Sequence, residues 1–482
     1  MFRKMLSVKK HHRIPEMALI AAIAGLLAGA PAIRAEEADS RLSLQESIAI
    51  ALERSTFVKS SREALRSADY ERKAARTEFF PTFGTSYTYT RYNESPHMKT
   101  PAGDPFEYPT DTPLGRRNRY QWNTYVSQPV FTGGAIASSY DIASLGTRIA
   151  GENLAAAQQD IILQVKEAYF TILKAEKIRL VAAQALAQVK SHLNDARAFY
   201  QEEMIPRNDL LEAQVRHAQA RQDLIRSQNT ERIAHAHFNT VLRRDINAPV
   251  RIENILTEPA GVFSLDACLK EARRQRPEMR EAELRVAQGE KGVRLEQSSY
   301  FPKISLVADY QKMGDRIDVG GNPYEDSESW TISGILRWDF WEWGKKHYLI
   351  SARRADARQA RERKKNIEDV IAFEVKQSWL RLDEARSNIA AARSAVEQGE
   401  ENFRLNRERY REQMANTTDV LDAQTLLTEA RTNYYNALSD YHIARSRLEY
   451  AMGRRRESGH EKQGPHAPVP EQAMPAREEI RK

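Results

Sequence analysis

The chain has 482 residues, of which 41% are hydrophobic and 29% charged, a formal charge of +7 and one cysteine, Cys268. The negative mean hydropathy excludes a bundle of membrane helices, and a lone cysteine excludes an internal disulfide. Acids and bases interleave along the chain instead of gathering into one basic stripe, which argues against a nucleic-acid partner.

Residues 1–35 read as a secretory signal. Arg3, Lys4, Lys9, Lys10 and Arg13 form a basic region, and Met17 to Ala30 forms an apolar core too short to span a bilayer well. Ala30-Pro31-Ala32 or Ile33-Arg34-Ala35 supplies a small-residue cleavage site. A retained membrane anchor is the other reading of this stretch. No cysteine lies near the cleavage site to carry a lipid.

A first repeat is expected over 36–262. It opens with a helix from Ser43 to Glu78, which Phe80-Pro81 stops. A strand pair over 80–131 follows. Phe83, Thr85, Tyr87 and Tyr89 alternate with Gly84, Ser86, Thr88 and Thr90, and Tyr120, Trp122, Thr124 and Val126 alternate with Gln121, Asn123, Tyr125 and Ser127. Between them, Pro96, Pro101, Pro105, Pro109 and Pro113 are expected to exclude regular structure.

Gly133-Gly134 then starts a long helical hairpin over 135–243, folded back at Pro206. Ile161, Val165, Ala168, Ile172 and Ala175 keep a seam in alternating steps of four and three. Arg179 falls out of pattern, and Ala182, Leu186, Val189, Leu193, Ala196 and Tyr200 resume it. From Ala135 to Met204 such a helix would span about 105 Å, more than any compact domain needs.

At Phe263 the chain begins again, giving a second repeat over 263–453. Leu42-Ser43-Leu44 and Phe80-Pro81 return as Phe263-Ser264-Leu265 and Phe301-Pro302, offset by 221, with a helix expected from Leu265 to Ser298. A strand pair over 301–341 follows. Past its loop the offset becomes 210: Gly344 repeats Gly134, and Asp419-Val420-Leu421-Asp422-Ala423-Gln424 repeats Asp209-Leu210-Leu211-Glu212-Ala213-Gln214. The hairpin over 345–452 carries the seam Ile371, Val375, Ser378, Leu382, Ala385, Ile389, Ala392 and Val396, which weakens at Gly399 and Asn406 before Tyr410. Residues 454–482 are polar and proline-rich and read as a disordered tail.

Strands of about ten residues with one bulky face and one small polar face fit two structures. One is the lipid-out, water-in wall of an outer-membrane barrel; the other is a soluble sheet with one packed face. The flanking helices are charged rods that cannot cover the apolar face. Four strands cannot close a barrel, whereas a symmetric ring of three chains would supply about twelve and leave no edge.

With those features in place, the chain resembles the TolC family of outer-membrane efflux and secretion channels over roughly Leu42 to Gly453. The residues that carry the resemblance are the duplicated Phe-Pro, Pro129-Val130-Phe131 before Gly133-Gly134, and Asp419-Val420-Leu421-Asp422-Ala423. No one motif is specific; their order and duplicated spacing are. The resemblance implies a mainly α fold with membrane β: a long-helix α-barrel plus a trimeric transmembrane β-barrel with four strands per chain, built by tandem duplication. It also implies a homotrimer in outer-membrane lipid, docked on a periplasmic adaptor and an inner-membrane pump of RND, ABC or MFS type. The function that follows is a passive duct for efflux or type I secretion. A soluble periplasmic coiled-coil adaptor or scaffold is the alternative; it needs the heptads but not the strand pairs.

The resemblance further places a gate at the periplasmic tips, with Asp419 and Asp422 in an acidic ring and Tyr410 bonded to Asp209. Asp209 and Glu212 repeat the acidic spacing in the first half. Ala415 stands where the family's best-known gate has an arginine, so the latch must differ. The same acids also suit helix capping, because each group starts a helix.

No enzyme is expected, since no glycine-rich phosphate loop or nucleophile elbow appears, and no cofactor is implied. No metal site is expected either. His235 and His237 are two apart on a helix and face different ways. His192, His217 and His442 are expected at the solvated surface, and Cys268 as a small packed residue.

Overall fold

The structure, a computed structural model, describes residues 41–100, 110–113, 116–258, 261, 263–320 and 328–454. The expected signal, and the expected tail apart from Arg454, lie outside the described residues.

The chain begins with α1 (Leu44–Arg54) and α2 (Thr56–Thr77) where one helix was expected. Ser55 makes the break: it ends α1 in an extended conformation, and its side chain caps α2 by accepting from the Val58 N–H. The second repeat breaks at the matching place, between α5 (Leu265–Gln275) and α6 (Pro277–Gln297). Here Pro277 disfavours helical geometry at Arg276, which is extended.

Each repeat then gives two strands to one antiparallel sheet. These are β1 (Thr82–Arg91) and β4 (Asn118–Phe131) from the first, and β5 (Lys303–Gly314) and β6 (Glu328–Arg337) from the second. Their order is β1-β4-β5-β6, so the repeats join at β4–β5 and leave β1 and β6 as edges. The proline-rich segment contains a short ribbon, β2 (His97–Thr100) with β3 (Thr110–Pro113), contrary to expectation. Proline is tolerated there because Pro113 ends its strand, where no ladder donor is required.

The four long helices repeat residue for residue. Helices α3 (Ala135–Gln201) and α7 (Lys345–Arg411) each have 67 residues; α4 (Arg207–Val241) and α8 (Thr417–Ala451) each have 35. At 1.5 Å per residue the longer pair reach about 100 Å. Gly134 and Gly344 precede α3 and α7 with φ of +87° and +82°, a left-handed entry that glycine makes without strain.

All four long helices end in the same Schellman turn. The residue after the cap takes positive φ, and the next N–H reaches back five residues, as in Met204 to Phe199 O and Met414 to Arg409 O. Only the last of the four positive-φ residues, Glu203, Arg243, Gln413 and Gly453, is glycine.

Burial follows the seam at Ile161, Val165, Ala168, Ile172 and Ala175 and again at Val189, Leu193 and Ala196. Between them it passes to Val181 and Ala185, one residue ahead of the expected Ala182 and Leu186. A straight helix drifts against a 3.5-residue repeat, and Arg179 turns aside to meet Glu231 at 2.8 Å. Tyr200 is exposed. In α7 the seam is buried through Ile389 and only half-buried at Ala392 and Val396.

Two equivalent cores form a belt: α1 packs on α3 and α4, and α5 packs on α7 and α8. Cys268 is buried in the second, where burial raises its thiol pKa. The linker between the repeats is held in the first core through a parallel bridge between Leu42 and Ile252. The Tyr169 hydroxyl reaches both Leu42 O and Glu253 O.

Helix α3 of the first repeat also packs along α8 of the second through polar groups. Lys166 pairs with Glu449 at 2.7 Å, with both side chains about 90% buried or more. Around this pair, Gln159 donates to Gly453 O, Tyr450 to Asp160, Ser439 to Phe170 O, and Arg447 pairs with Glu167.

Gly453 locks the end of α8 against the α5–α6 break. A Cβ there would stand 2.7 Å from Arg276 N and Gln275 C, and φ is +77°. Gly453→Ala is therefore expected to destabilise the protein by about 2–3 kcal/mol through strain and a backbone clash. A thermal melt of the detergent-solubilised protein checks this; an unchanged midpoint would show that the junction adapts freely.

Candidate functional site: the helix tips and the sheet

The hairpin tips gather the acidic residues singled out in the sequence. Asp419 is committed to capping: its carboxylate accepts from the Asn416 N–H at 3.1 Å, and Asn416 Oδ1 accepts from the Asp419 N–H at 2.8 Å. Asp422, one turn on, is exposed and faces Arg216 of α4 at 3.6 Å. Glu212 of α4 accepts from the Thr418 hydroxyl at 3.1 Å. Asp209 lies in the first turn of α4, where the helix dipole favours an acid, and accepts from the Asn208 amide.

Thus Glu212 and Asp422 join the two tips directly, while Asp419 and Asp209 mainly serve their own helix starts. Arg411 adds a further link from α7 to Asp195 of α3 at 3.5 Å. Exposed pairs such as Arg216–Asp422 hold about 0–1 kcal/mol each, so the contacts between the tips are weak. Position 415 is alanine, and the arginines paired across the tips are Arg216 and Arg411.

Tyr410 is 3% exposed. Within the chain its hydroxyl takes Thr417 at 3.4 Å, not Asp209. Thr417 opens α8 directly beyond the turn and is itself buried, so it is the nearer partner. Burial raises the Tyr410 phenol, and the charges of Asp209 and Asp195 push the same way.

The ring of Tyr410 packs on His192 at 4.6 Å and Phe199 at 5.5 Å. His192 was expected at the surface; it is buried because it stands beside Leu193 on the packed side of α3. Burial holds its pKa down at about 4, against a small opposing pull from Asp195. His442 is likewise not a solvated residue. It stacks on Phe170 at 4.7 Å and bonds Thr257 O, and burial lowers its pKa.

At the other end, the sheet registers put most of the bulky side chains on one face. Tyr87 opposes Trp122, Thr124 opposes Tyr310, and Tyr310 opposes Trp330. That face is bare: Phe83 is 74% exposed, Trp330 72% and Ile332 65%. The other face carries Ser86, Asn123, Gln311 and Ser333. In water this aromatic band would be a large apolar patch; in lipid it is solvated. Among the described residues no helix is long and apolar enough to cross a membrane.

The sequence profile described as outer membrane efflux protein matches residues 48–242 and 268–454, most of both repeats. The chain belongs to the outer membrane efflux protein family. No curated protein matches it in sequence. Its fold is that of solved outer-membrane channels. The VceC protein of Vibrio cholerae aligns at TM-score 0.71 and 15% identity, covering 85% of this chain and 96% of that one. The CmeC channel of Campylobacter jejuni gives 0.69 and 16%, covering 85% of each. The open state of the MtrE channel of Neisseria gonorrhoeae gives 0.71 and 18%, covering 85% and 88%.

An outer membrane efflux protein of this build is a channel subunit of the outer membrane reaching into the periplasm. The soluble adaptor reading is not favoured. Sequence reasoning missed His192, Thr418, Arg216 and Arg411. Only His192 had a local signal, its place beside the seam.

The His192 shift fixes a pH response. A histidine whose folded pKa lies below its ordinary 6.5 favours the packed tip only while neutral. The packed tip therefore loses stability as pH falls from 6.5 toward 4, by on the order of 3 kcal/mol in full. Hydrogen exchange around Tyr410, corrected for intrinsic rate, should accelerate roughly tenfold or more between pH 7 and 5. His192→Phe should abolish that acceleration; its persistence would place the titrating group elsewhere.

Proposed function

We propose that three copies of this chain form a passive trans-periplasmic export duct of a tripartite efflux or type I secretion system. The observation that carries this reading is the four-stranded sheet, with its bare aromatic face and two open edges, mounted on helices about 100 Å long. Edges β1 and β6 pair around a threefold axis, giving twelve strands with every ladder group satisfied and the aromatic face in outer-membrane lipid. The long hairpins continue the barrel as a helical tunnel.

The duct adds no energy of its own, so export is driven by an inner-membrane pump of RND, ABC or MFS type reached through a periplasmic adaptor. The gate is the tip cluster. Asp209, Glu212, Asp419 and Asp422, repeated by symmetry, make a cation-favouring mouth, with Tyr410 as its buried pivot. The adaptor opens it by separating the α4 and α8 tips, which breaks Glu212–Thr418 and Arg216–Asp422.

Membrane fractionation tests the assembly. The expected outcome is recovery in outer-membrane fractions, resistance to urea extraction, and a detergent-solubilised mass three times that of the chain. Release by urea or a soluble monomer would sink the channel reading. Planar-bilayer recording tests the gate. Asp419→Ala with Asp422→Ala should reduce cation preference, and Arg216→Ala should raise conductance by loosening the latch. Unchanged selectivity and conductance in the double variant would remove the acidic ring from the mechanism.

A further inference from the structure

Midway along the first hairpin, three ligand-bearing side chains converge where no metal site is expected from the sequence. Glu231 and His235 stand one turn apart on α4, so they share a face. Glu176 of α3 faces them. One ligand atom from each lies within 4.8 Å of the others, and no other such trio of His, Cys, Asp and Glu groups occurs among the described residues. His235 Nε2 is 3.9 Å from Glu176 Oε1.

An independent observation concerns the imidazole itself. Its Nε2 is buried yet has no hydrogen-bond partner. A buried polar atom left unpaired costs about 1–3 kcal/mol, and here it is directed at carboxylates slightly too far away to bond. The spacing suits an intervening ion better than a direct contact. Tetrahedral bonds of about 2.1 Å place ligand atoms about 3.4 Å apart, so small side-chain rotations close the cluster.

We propose that Glu176, Glu231 and His235 bind a first-row divalent transition-metal ion, Zn²⁺ or Ni²⁺ in class, which braces α3 against α4. Imidazole with two carboxylates selects such ions over Mg²⁺ and Ca²⁺, and the absence of thiolate or thioether in the trio disfavours soft monovalent ions. Two carboxylates balance the dication, and water fills the remaining position. Arg179 holds one oxygen of Glu231, with Nε to Oε2 at 2.8 Å. A carboxylate has a second oxygen to give, so Arg179 orients the ligand. This also gives the out-of-pattern Arg179 a role. His237, two residues on, is exposed and points elsewhere, so it takes no part.

The test is calorimetric titration of Zn²⁺, then Ni²⁺, into tag-free, chelator-treated full-length protein in detergent. One site per chain is expected at micromolar affinity or tighter. His235→Ala and Glu231→Gln should each weaken it at least tenfold, while His237→Ala leaves it unchanged. Zn²⁺ should raise the melting temperature of the unaltered protein and of His237→Ala, but not of His235→Ala. Circular dichroism and the solubilised mass establish that each variant is folded; should His235→Ala misfold, Glu176→Gln takes its place. No Zn²⁺ binding in the unaltered protein, or equal binding in all folded variants, overturns the proposal.

Discussion

The buried pair Lys166–Glu449 is the contact on which the arrangement of this chain depends. It joins α3 of the first repeat to α8 of the second, so it decides how two copies of one design become a single molecule. Burying two charges gains little net stability, because desolvation offsets most of the attraction. Its effect is on register. Sliding α8 along α3 by one turn would leave an ammonium buried without its carboxylate, at several kcal/mol. The surrounding bonds from Gln159, Ser439 and Tyr450 restrict the same slide. An apolar seam alone tolerates such shifts; a buried polar one does not.

With that register fixed, duplication propagates outward in both directions. Toward the membrane it sets β4 beside β5, so two strand pairs become one sheet with most of its bulky residues on the same face. A slip of one residue would turn that face over. Toward the tips it brings Glu212 beside Thr418 and Arg216 beside Asp422. The two repeats share backbone geometry to the residue in α3, α4, α7 and α8 yet differ in chemistry. One start has a capping box at Asn416–Asp419, and its counterpart has Pro206 with no side-chain cap.

Much of this was legible in the sequence because it rests on local period. Heptads announced α3 and α7, alternation announced β1, β4, β5 and β6, and Gly133-Gly134 and Gly344 marked where one became the other. What escaped depends on contacts distant in sequence. Ser55 sits in a run with helical character, and only its double role as cap shows that the helix breaks there. The ribbon of β2 and β3 forms despite its prolines, since each strand needs only its partner. Among the residues at the tips, the acids were visible from their duplicated spacing. Their partners Arg216 and Thr418 were not, because α4 and α8 are neighbours only in space. His192 and His442 looked solvated on charged helices; burial is set by which helix lies opposite.

The unbroken course of α3 has a mechanical consequence. From Val165 in the belt to Gln201 at the tip it contains neither glycine nor proline, so no hinge interrupts it. The rod therefore behaves as a lever whose fulcrum is the belt. Over that distance, some 54 Å, a tilt of only about 4° moves the tip by roughly 4 Å. A displacement of that size exceeds the reach of every hydrogen bond across the tips. A pivot near Tyr169 and Val165 can thus be modest while the tip of α3 travels beyond bonding range of its neighbours.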